Sequence, residues 1–301
     1  MPEKEPRISF HEQIQRNKAK SALLIGIVFI VLLLLGYAIS FALDPGYFFI
    51  VMIISIIFSM SYIVFGYYNS DKIALASVGA KKADISQYRQ LYNSVEGLTL
   101  ASGMPMPKIY IMESEQTNAF ATGRDPQHSV ICVTTGALKK LDKQELEGVL
   151  GHELSHIANF DIRFMTLTAV LIGMIAIISQ IFLRSLWYRG SNREGKGNPI
   201  FMLIAIALAI LAPILTQMVQ FAISRKREYA ADASSVKFTR SPTGLIGALK
   251  KIKGEHAPES SGRINKAVAP LFMSDPFRKK FSELFSTHPA LEKRIGILER
   301  M

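Results

Sequence analysis

Cysteine is nearly absent from this sequence, with Cys132 the one cysteine among 301 residues. An internal disulfide framework is therefore excluded, and a single thiol is typical of a reducing compartment. Histidine is also scarce, at six residues, so the arrangement of the histidines is informative. No basic stripe is interleaved with aromatic residues, so the net charge of +11 does not predict a nucleic-acid partner.

Charge is missing from four long stretches of the chain, which is 49% hydrophobic. Each has 20 or more uncharged residues, enough for a helix to cross a hydrocarbon core about 30 Å thick. The first stretch is too long for a cleaved signal peptide, and Asp44-Pro45-Gly46 connects it directly to the second. We therefore expect an α-helical multi-pass membrane protein with four apolar helices, at Ala22–Leu43, Tyr47–Tyr68, Phe164–Leu183 and Ile200–Ile223. Whether the second pair spans fully stays open, because Gln180, Pro213, Gln217 and Gln220 interrupt it.

Basic residues predict the side of the membrane, since Lys and Arg are enriched in cytoplasmic segments. The basic lead before the first apolar run and Arg225-Lys226-Arg227 after the fourth both indicate the cytoplasm. The connection Arg184–Pro199 disagrees, because it has four basic residues although the number of crossings places it outside. Either the second pair crosses despite this charge bias, which we favour, or it forms a hairpin that does not cross fully.

The two hydrophilic stretches are each small, so we expect them to share one core and form one domain. In the first stretch, Lys108–Met112 and Ser129–Val133 are predicted strands joined by a hairpin connection. A helix is predicted over Leu141–Asp161, with Asp142 as N-cap and Glu145 completing a capping box. The expected organisation is residues 1–68 as lead and membrane hairpin, 69–163 as the first half of the domain, 164–223 as the second apolar pair, and 224–301 as the second half.

The predicted helix contains the pattern H-E-x-x-H at residues 152–156. His152 and His156 are four positions apart, so their side chains leave the same helix face, about 5–6 Å apart at Cβ. Two imidazoles at this separation can bind one Zn²⁺ ion. Glu153 lies next to the first histidine and can act on a water molecule without binding the metal. We therefore predict a zinc site with Glu153 as its general base.

A catalytic zinc site usually has three protein ligands, so a third is expected outside this helix. The best candidate is Glu228, directly after the fourth apolar run. Asp232, one helical turn later, can accept the second ring N–H of a zinc-bound histidine and fix its orientation. The alternative is that both carboxylates belong to a solvated face beside a basic cluster. Two membrane crossings between the motifs would return both to the same side.

These residues resemble the HtpX-type membrane zinc metallopeptidases, relatives of the CAAX prenyl proteases. The resemblance covers most of the chain and implies a mostly α zincin-like α+β catalytic domain carrying a small β-sheet. It implies one Zn²⁺ per chain on His152, His156 and Glu228, with Glu153 as general base. The motifs are N-A-F-A-T-G at Asn118–Gly123, G-H-E-L-S-H at Gly151–His156 followed by Asn159 and Asp161, R-E-x-x-A-D at Arg227–Asp232, and T-H-P-x-x-x-x-R at Thr287–Arg294.

The same resemblance gives roles to two further segments. Asn118, Ala119 and Phe120 would form an exposed strand on which substrate lies, although the segment on its own reads equally well as a simple hairpin. His288 would face the developing oxyanion, with Arg294 in support. The implied role is quality control of misfolded or damaged membrane proteins under stress, at the cytoplasmic face of a bacterial-type plasma membrane. The role of Asp161 stays open.

Three other functions are weighed against this one. An intramembrane protease would have its H-E-x-x-H motif inside an apolar span, but charged residues such as Glu145 and Glu147 precede it here. A CAAX-type enzyme would prefer a prenylated C-terminal peptide, and four apolar runs are fewer than such enzymes have. A scaffold with structural zinc would need a fourth protein ligand, and no cysteine or further histidine has suitable spacing. Natural substrates, cleavage preference, regulation and oligomeric state are not indicated by the sequence.

Overall fold

A computed structural model of the chain describes residues 10–42, 45–171, 173, 225–255, 271–273 and 289–301. The greater part of the third apolar run, all of the fourth and His288 lie outside these residues. The helices are α1 Phe10–Ala42, α2 Phe48–Ser77, α3 Arg89–Ser102, α4 Thr135–Lys140, α5 Lys143–Ala158, α6 at 161–171, α7 Arg225–Thr239, α8 Thr243–Gly254 and α9 Leu291–Leu298. The strands are β1 Lys81–Lys82, β2 Lys108–Met112, β3 Ala119–Gly123 and β4 Ser129–Thr134.

Two helices are long and apolar enough to cross a membrane, over Ile14–Tyr37 of α1 and throughout α2. The second exposes large apolar side chains, with Phe49 78% and Ile57 60% exposed, as lipid contact favours. The described part of the chain therefore contains two candidate membrane spans. The sequence predicts four over the whole chain. The start of the third run, in α6, packs against the first two helices through Leu167 and Leu171.

The sheet has four strands in the order β1-β2-β4-β3. Strands β2 and β4 were both predicted, and they pair in parallel from Lys108 opposite Val130 to Met112 opposite Thr134. The hairpin connection predicted between them is wrong, because parallel neighbours cannot be joined by a tight turn. The connecting residues instead form β3, which pairs antiparallel with β4 at the edge of the sheet.

Helix α5 begins at the predicted capping box. The Asp142 carboxylate accepts from the Glu145 backbone N–H at 2.9 Å, and the Glu145 carboxylate accepts from the Asp142 N–H at 2.9 Å. The helix does not continue to Asp161 as expected, because it ends at Ala158 and Phe160 has a left-handed backbone with φ 58°. This turn separates α5 from α6 and redirects the chain just after the second histidine.

Helices α5 and α8 approach each other closely because each has a glycine against the backbone of the other. A Cβ atom on Gly148 would lie 2.5 Å from the Leu245 backbone nitrogen, and one on Gly244 would lie 2.2 Å from the Gln144 carbonyl oxygen. Leu150 and Leu154 of α5 are fully buried in the core that this contact shares with the sheet. The histidine helix is therefore held from one side by the sheet and from the other by α8.

Candidate metal centre

Two helices bring three potential metal ligands together. His152 and His156 lie on one face of α5, and Glu228 lies in the first turn of α7. The three side chains are buried, and their ligand atoms all lie within 4.8 Å of one another. Sequence spacing predicts the histidine pair, while the approach of Glu228 depends on the packing of α7 against α5.

The donor atoms have the separations that one tetrahedral ion requires. The two Nε2 atoms are 3.2 Å apart, and they lie 3.6 Å (His152) and 3.5 Å (His156) from the nearer oxygens of Glu228. Zinc–ligand bonds of about 2.0–2.1 Å in tetrahedral geometry place neighbouring donors about 3.3 Å apart. The residues therefore fit a divalent metal ion in position, donor type and spacing.

The outer nitrogen of His152 is held by a carboxylate from α7. Asp232 Oδ1 lies 2.9 Å from His152 Nδ1, and Arg294 of α9 contacts both Asp232 oxygens at 2.9 and 2.6 Å. An imidazole that donates through Nδ1 presents the lone pair of Nε2 to the site. Arg294, which is fully buried, also lies 3.6 Å from Glu228, so it ties α9 to two acidic residues of the centre.

The outer nitrogen of His156 has an equivalent partner in Asp161. The distance from His156 Nδ1 to Asp161 Oδ2 is 3.1 Å, and both side chains are buried. The turn at Phe160 makes this contact possible, because it brings a residue five positions later back to the histidine. Sequence reasoning left Asp161 unassigned, and a helix continued through Phe160 would not have placed it here.

The charges around His152 favour a cation. Burial, the largest influence, lowers the pKa of His152, as does Arg294, but hydrogen bonds with Asp232 and Glu228 outweigh both and raise this pKa to about 9. Burial also raises the pKa of Asp232, but the charge of Arg294 and the contact with His152 hold that pKa below its usual range. A metal ion bound by the same donors would replace the proton on His152.

Glu153 is buried beside the ligands, with a side chain 2% exposed. Burial raises its pKa above the ordinary value, and the charges of His152 and His156 only partly oppose this effect. Its carboxylate accepts a hydrogen bond from the backbone N–H of Ala121, a residue of β3. The edge strand and the predicted general base are therefore in direct contact.

The predicted substrate strand lies at the edge of the sheet but is not exposed. Asn118, Ala119 and Phe120 are all buried. The Ala119 carbonyl oxygen accepts from the Met273 N–H at 2.9 Å, and the rings of Phe120 and Phe272 are 4.8 Å apart between centroids. The outer edge of β3 is thus occupied by residues 271–273 of the same chain, a contact that no sequence pattern indicates.

The predicted oxyanion residue His288 lies outside the described residues. Its predicted neighbour Arg294 is described, and its contacts are with Asp232, Glu228 and His152. Arg294 therefore supports the acidic side of the metal centre. The sequence does not indicate that Arg294 is buried, since an arginine in a helical segment is usually solvated.

Proteins similar to this chain are named proteases. The sequence is 42% identical over 293 residues to a protein named Protease HtpX homolog from Dictyoglomus thermophilum, covering 97% of this chain and 95% of that protein. Proteins with the same name from Caldanaerobacter subterraneus and Lactobacillus acidophilus are 41% and 40% identical, each over 97% of this chain and 98% and 99% of their own length.

A solved structure is also similar, though distantly. The crystal structure of S. mikatae Ste24p matches 96% of this chain and 67% of its own chain, with 19% identity and a TM-score of 0.45. Residues 85–301 match the family model described as Peptidase family M48, and this range includes α3, strands β2 to β4 and the whole metal centre. With its metal-binding residues and apolar helices, the chain belongs to peptidase family M48 and is a membrane metalloprotease.

Proposed function

We propose that this protein is a zinc-dependent endopeptidase that cleaves unfolded or damaged membrane proteins at the cytoplasmic face of a plasma membrane. His152, His156 and Glu228 would hold one Zn²⁺ ion, and Glu153 would be the general base. The observation that carries the proposal is the pairing of three ligands at tetrahedral separations with a buried glutamate beside them. A structural zinc site would have four protein ligands and no need for such a glutamate.

The residues of the chain have distinct tasks in peptide hydrolysis. A bound Zn²⁺ ion supplies Lewis-acid polarisation of the scissile carbonyl and makes water easier to deprotonate. Glu153 accepts the proton of the attacking water and later delivers it to the amine leaving group. The raised pKa of Glu153 suits this exchange, because a base with a pKa nearer neutrality both accepts and donates protons readily.

Three further residues have proposed supporting roles. Asp232 and Arg294 hold His152 in the orientation that keeps its Nε2 directed at the metal. His288 would donate a hydrogen bond to the oxyanion of the tetrahedral intermediate. The proposal for His288 rests on its motif alone, T-H-P-x-x-x-x-R at Thr287–Arg294.

Substrate is proposed to bind as an added strand along β3. Main-chain hydrogen bonds make few sequence demands, which suits an enzyme acting on many unfolded chains. Strand β3 lies against Glu153 through Ala121, so a paired substrate would pass next to the general base. Residues 271–273 hold this edge at Ala119, so substrate would have to replace their contacts.

The Glu153→Gln variant tests the function, and it should bind Zn²⁺ as the wild type does. Hydrolysis of casein should fall by about 10²–10⁴-fold, because a general base typically contributes that much. Zinc content and casein cleavage would be measured on full-length protein purified in detergent without chelator. Glu96→Gln on α3, outside the centre, is the matched control and should be fully active. Wild-type cleavage by Glu153→Gln, or another metal at full occupancy with Zn²⁺ absent, would overturn the proposal.

Single-cysteine labelling tests the proposed orientation in the membrane. Cys132 is buried and should not react with maleimide in the folded protein. Tyr47→Cys, between α1 and α2, should react with an impermeant maleimide from outside the cell, and Lys108→Cys only after the membrane is opened. Arg189→Cys reports on the second apolar pair. Labelling of Arg189→Cys from outside supports two crossings, and labelling only from inside would show a hairpin that does not cross.

A further inference from the structure

A buried asparagine on α1 contacts the support of the metal centre. Asn17 is 2% exposed, and its Nδ2 donates to Asp161 Oδ1 at 2.7 Å and to the Asn159 carbonyl oxygen at 2.9 Å. A carboxamide NH₂ has two hydrogens, and these two acceptors use both. The acceptors also fix the orientation of the amide, because a reversed amide would place its oxygen against both of them.

Asp161 connects this asparagine to a predicted ligand. One of its oxygens faces Asn17 and lies 3.4 Å from Arg227 of α7, while the other is 3.1 Å from His156 Nδ1. Asp161 is fully buried, so its orientation depends on the donors around it. Any rotation of this carboxylate changes the direction in which it holds the imidazole of His156.

We infer that Asn17 is a positioning residue for the peptidase reaction, acting through Asp161 to orient His156. The inference rests on the proposed role of His156 as a metal ligand. It assigns α1 a part in supporting the metal centre, which is otherwise built from α5, the start of α6, α7 and α9. The hydrogen bonds of the Asn17 side chain are to Asn159 and Asp161 and not to a ligand atom or to Glu153, so Asn17 is not a catalytic residue.

Two other buried polar residues of α1 show what a purely helical role looks like. Ser21 donates to the Asn17 carbonyl oxygen at 3.0 Å, and Ser40 donates to the Tyr37 carbonyl oxygen at 2.7 Å. Both hydroxyls donate their hydrogen bonds within α1, whereas the Asn17 side chain donates to residues more than 140 positions away in sequence. Ser21→Ala is thus a matched control, one helical turn from Asn17 and equally buried.

The test compares Zn²⁺ affinity among variants of the full-length protein in detergent, by competition with a fluorescent chelator. Asn17→Leu keeps the approximate shape and removes both hydrogen bonds. Its Zn²⁺ affinity should be weaker by about 3–10-fold, less than the 10–100-fold typical for a residue that contacts a ligand directly. Asn17→Asp should be weaker still, because two carboxylates would face each other. Ser21→Ala should match the wild type.

Two further measurements separate positioning from simple packing. The Co²⁺-loaded Asn17→Leu protein should show an altered visible absorption spectrum, since this spectrum reports the geometry of the ligands. With casein, kcat should fall while KM stays unchanged, because the Asn17 side chain bonds to Asn159 and Asp161 and not to β3. If Asn17→Leu does not fold, the smaller Asn17→Ala, which also removes both hydrogen bonds, is measured in the same way.

Wild-type Zn²⁺ affinity and an unaltered Co²⁺ spectrum in a folded Asn17 variant would overturn the inference, even if that variant melts at a lower temperature. His156→Ala separates this failure from failure of the proposed function. If His156→Ala binds Zn²⁺ normally, the ligand assignment is wrong and the inference falls with it. If His156→Ala loses Zn²⁺ and Asn17→Leu does not weaken, only the inference is wrong.

Discussion

At the scale of single residues, a carboxylate holds the outer nitrogen of each predicted histidine ligand. The two carboxylates come from different parts of the chain. Asp232 on α7 contacts His152, and Asp161 after the α5 turn contacts His156. These carboxylates fix which ring nitrogen carries the proton, and they strengthen the imidazole as a donor. Arg294 adds a buried positive charge that keeps Asp232 ionised. The centre is therefore specified as much by its supports as by its ligands.

The Asp232→Asn variant should bind Zn²⁺ about 10–100-fold more weakly, the usual cost of losing a partner of a ligating histidine. It should also lose stability by about 3–5 kcal/mol, since Arg294 is fully buried and loses its ionic partner at the two short contacts with residue 232. Chelator competition and thermal unfolding of the full-length protein measure the two effects. Asp84→Asn, at an exposed position, is the control. Equal Zn²⁺ affinity in the two variants would contradict the role assigned to Asp232.

At the scale of elements, local signals in the sequence predicted structure well, and contacts distant in sequence did not follow from it. The capping box of Asp142 and Glu145 marked the start of α5 because it depends on residues three apart. The end of α5 was misplaced because Phe160 adopts a left-handed conformation that favours glycine or asparagine. The contact of Asn17 with Asp161 spans 144 positions, and no periodic pattern indicates it.

Gly148→Ala should destabilise the protein by about 1–3 kcal/mol, because the added methyl group meets backbone atoms of α8 that cannot rotate away. The separation of α5 from α8 should also lower activity, since α5 carries both histidines. Thermal unfolding is the measurement. Gly97→Ala on α3 is the control: its methyl group would have open space, so a gain of roughly 0.5–1 kcal/mol is expected. Equal melting temperatures for the two variants would show that the helices can part freely.

The edge of β3 offers a test of the proposed substrate path. Met273→Pro removes the N–H that Met273 donates to Ala119 and leaves that carbonyl available. We expect the KM for casein to fall by about twofold to tenfold, because substrate no longer competes with the Met273 N–H for the Ala119 carbonyl oxygen and one backbone hydrogen bond has about this effect. Met273→Leu keeps the N–H and the apolar side chain and should behave as wild type. An unchanged or higher KM in Met273→Pro would indicate that substrate does not use this edge.

At the scale of the whole molecule, the metal centre joins helices that are far apart along the chain. Its ligands and their supports lie on α5 and α7, on α6 through Asp161, on α9 through Arg294, and on α1 through Asn17. That the soluble halves meet on one side of the membrane stays a prediction from the sequence; within the described residues, Glu228 of α7 lies against both histidines of α5. A metal ion bound here would act as a cross-link between distant segments.

Metal removal should therefore lower the melting temperature of the entire protein. Metal present at 1,000 times its Kd stabilises a folded state by about 4 kcal/mol, and a chelator removes that contribution. Unfolding scans with Zn²⁺ and with chelator would measure the shift on the full-length protein. His156→Ala should show little shift, whereas His128→Ala, whose side chain is 53% exposed, should keep the whole shift. A shift that survives in His156→Ala would place the stabilising ion elsewhere.

The buried contact of Arg294 with His152 and Asp232 has a consequence for the timing of assembly. Arg294 follows Asp232 by 62 positions, so a ribosome making about 5–20 residues per second adds it about 3–12 seconds later. During that interval the acidic residues of the centre lack their buried counter-charge. We expect nascent chains arrested before α9 to bind Zn²⁺ weakly and to leave casein intact, and release with α9 included to restore both. The enzyme would then become able to cut proteins only after its own synthesis has passed α9.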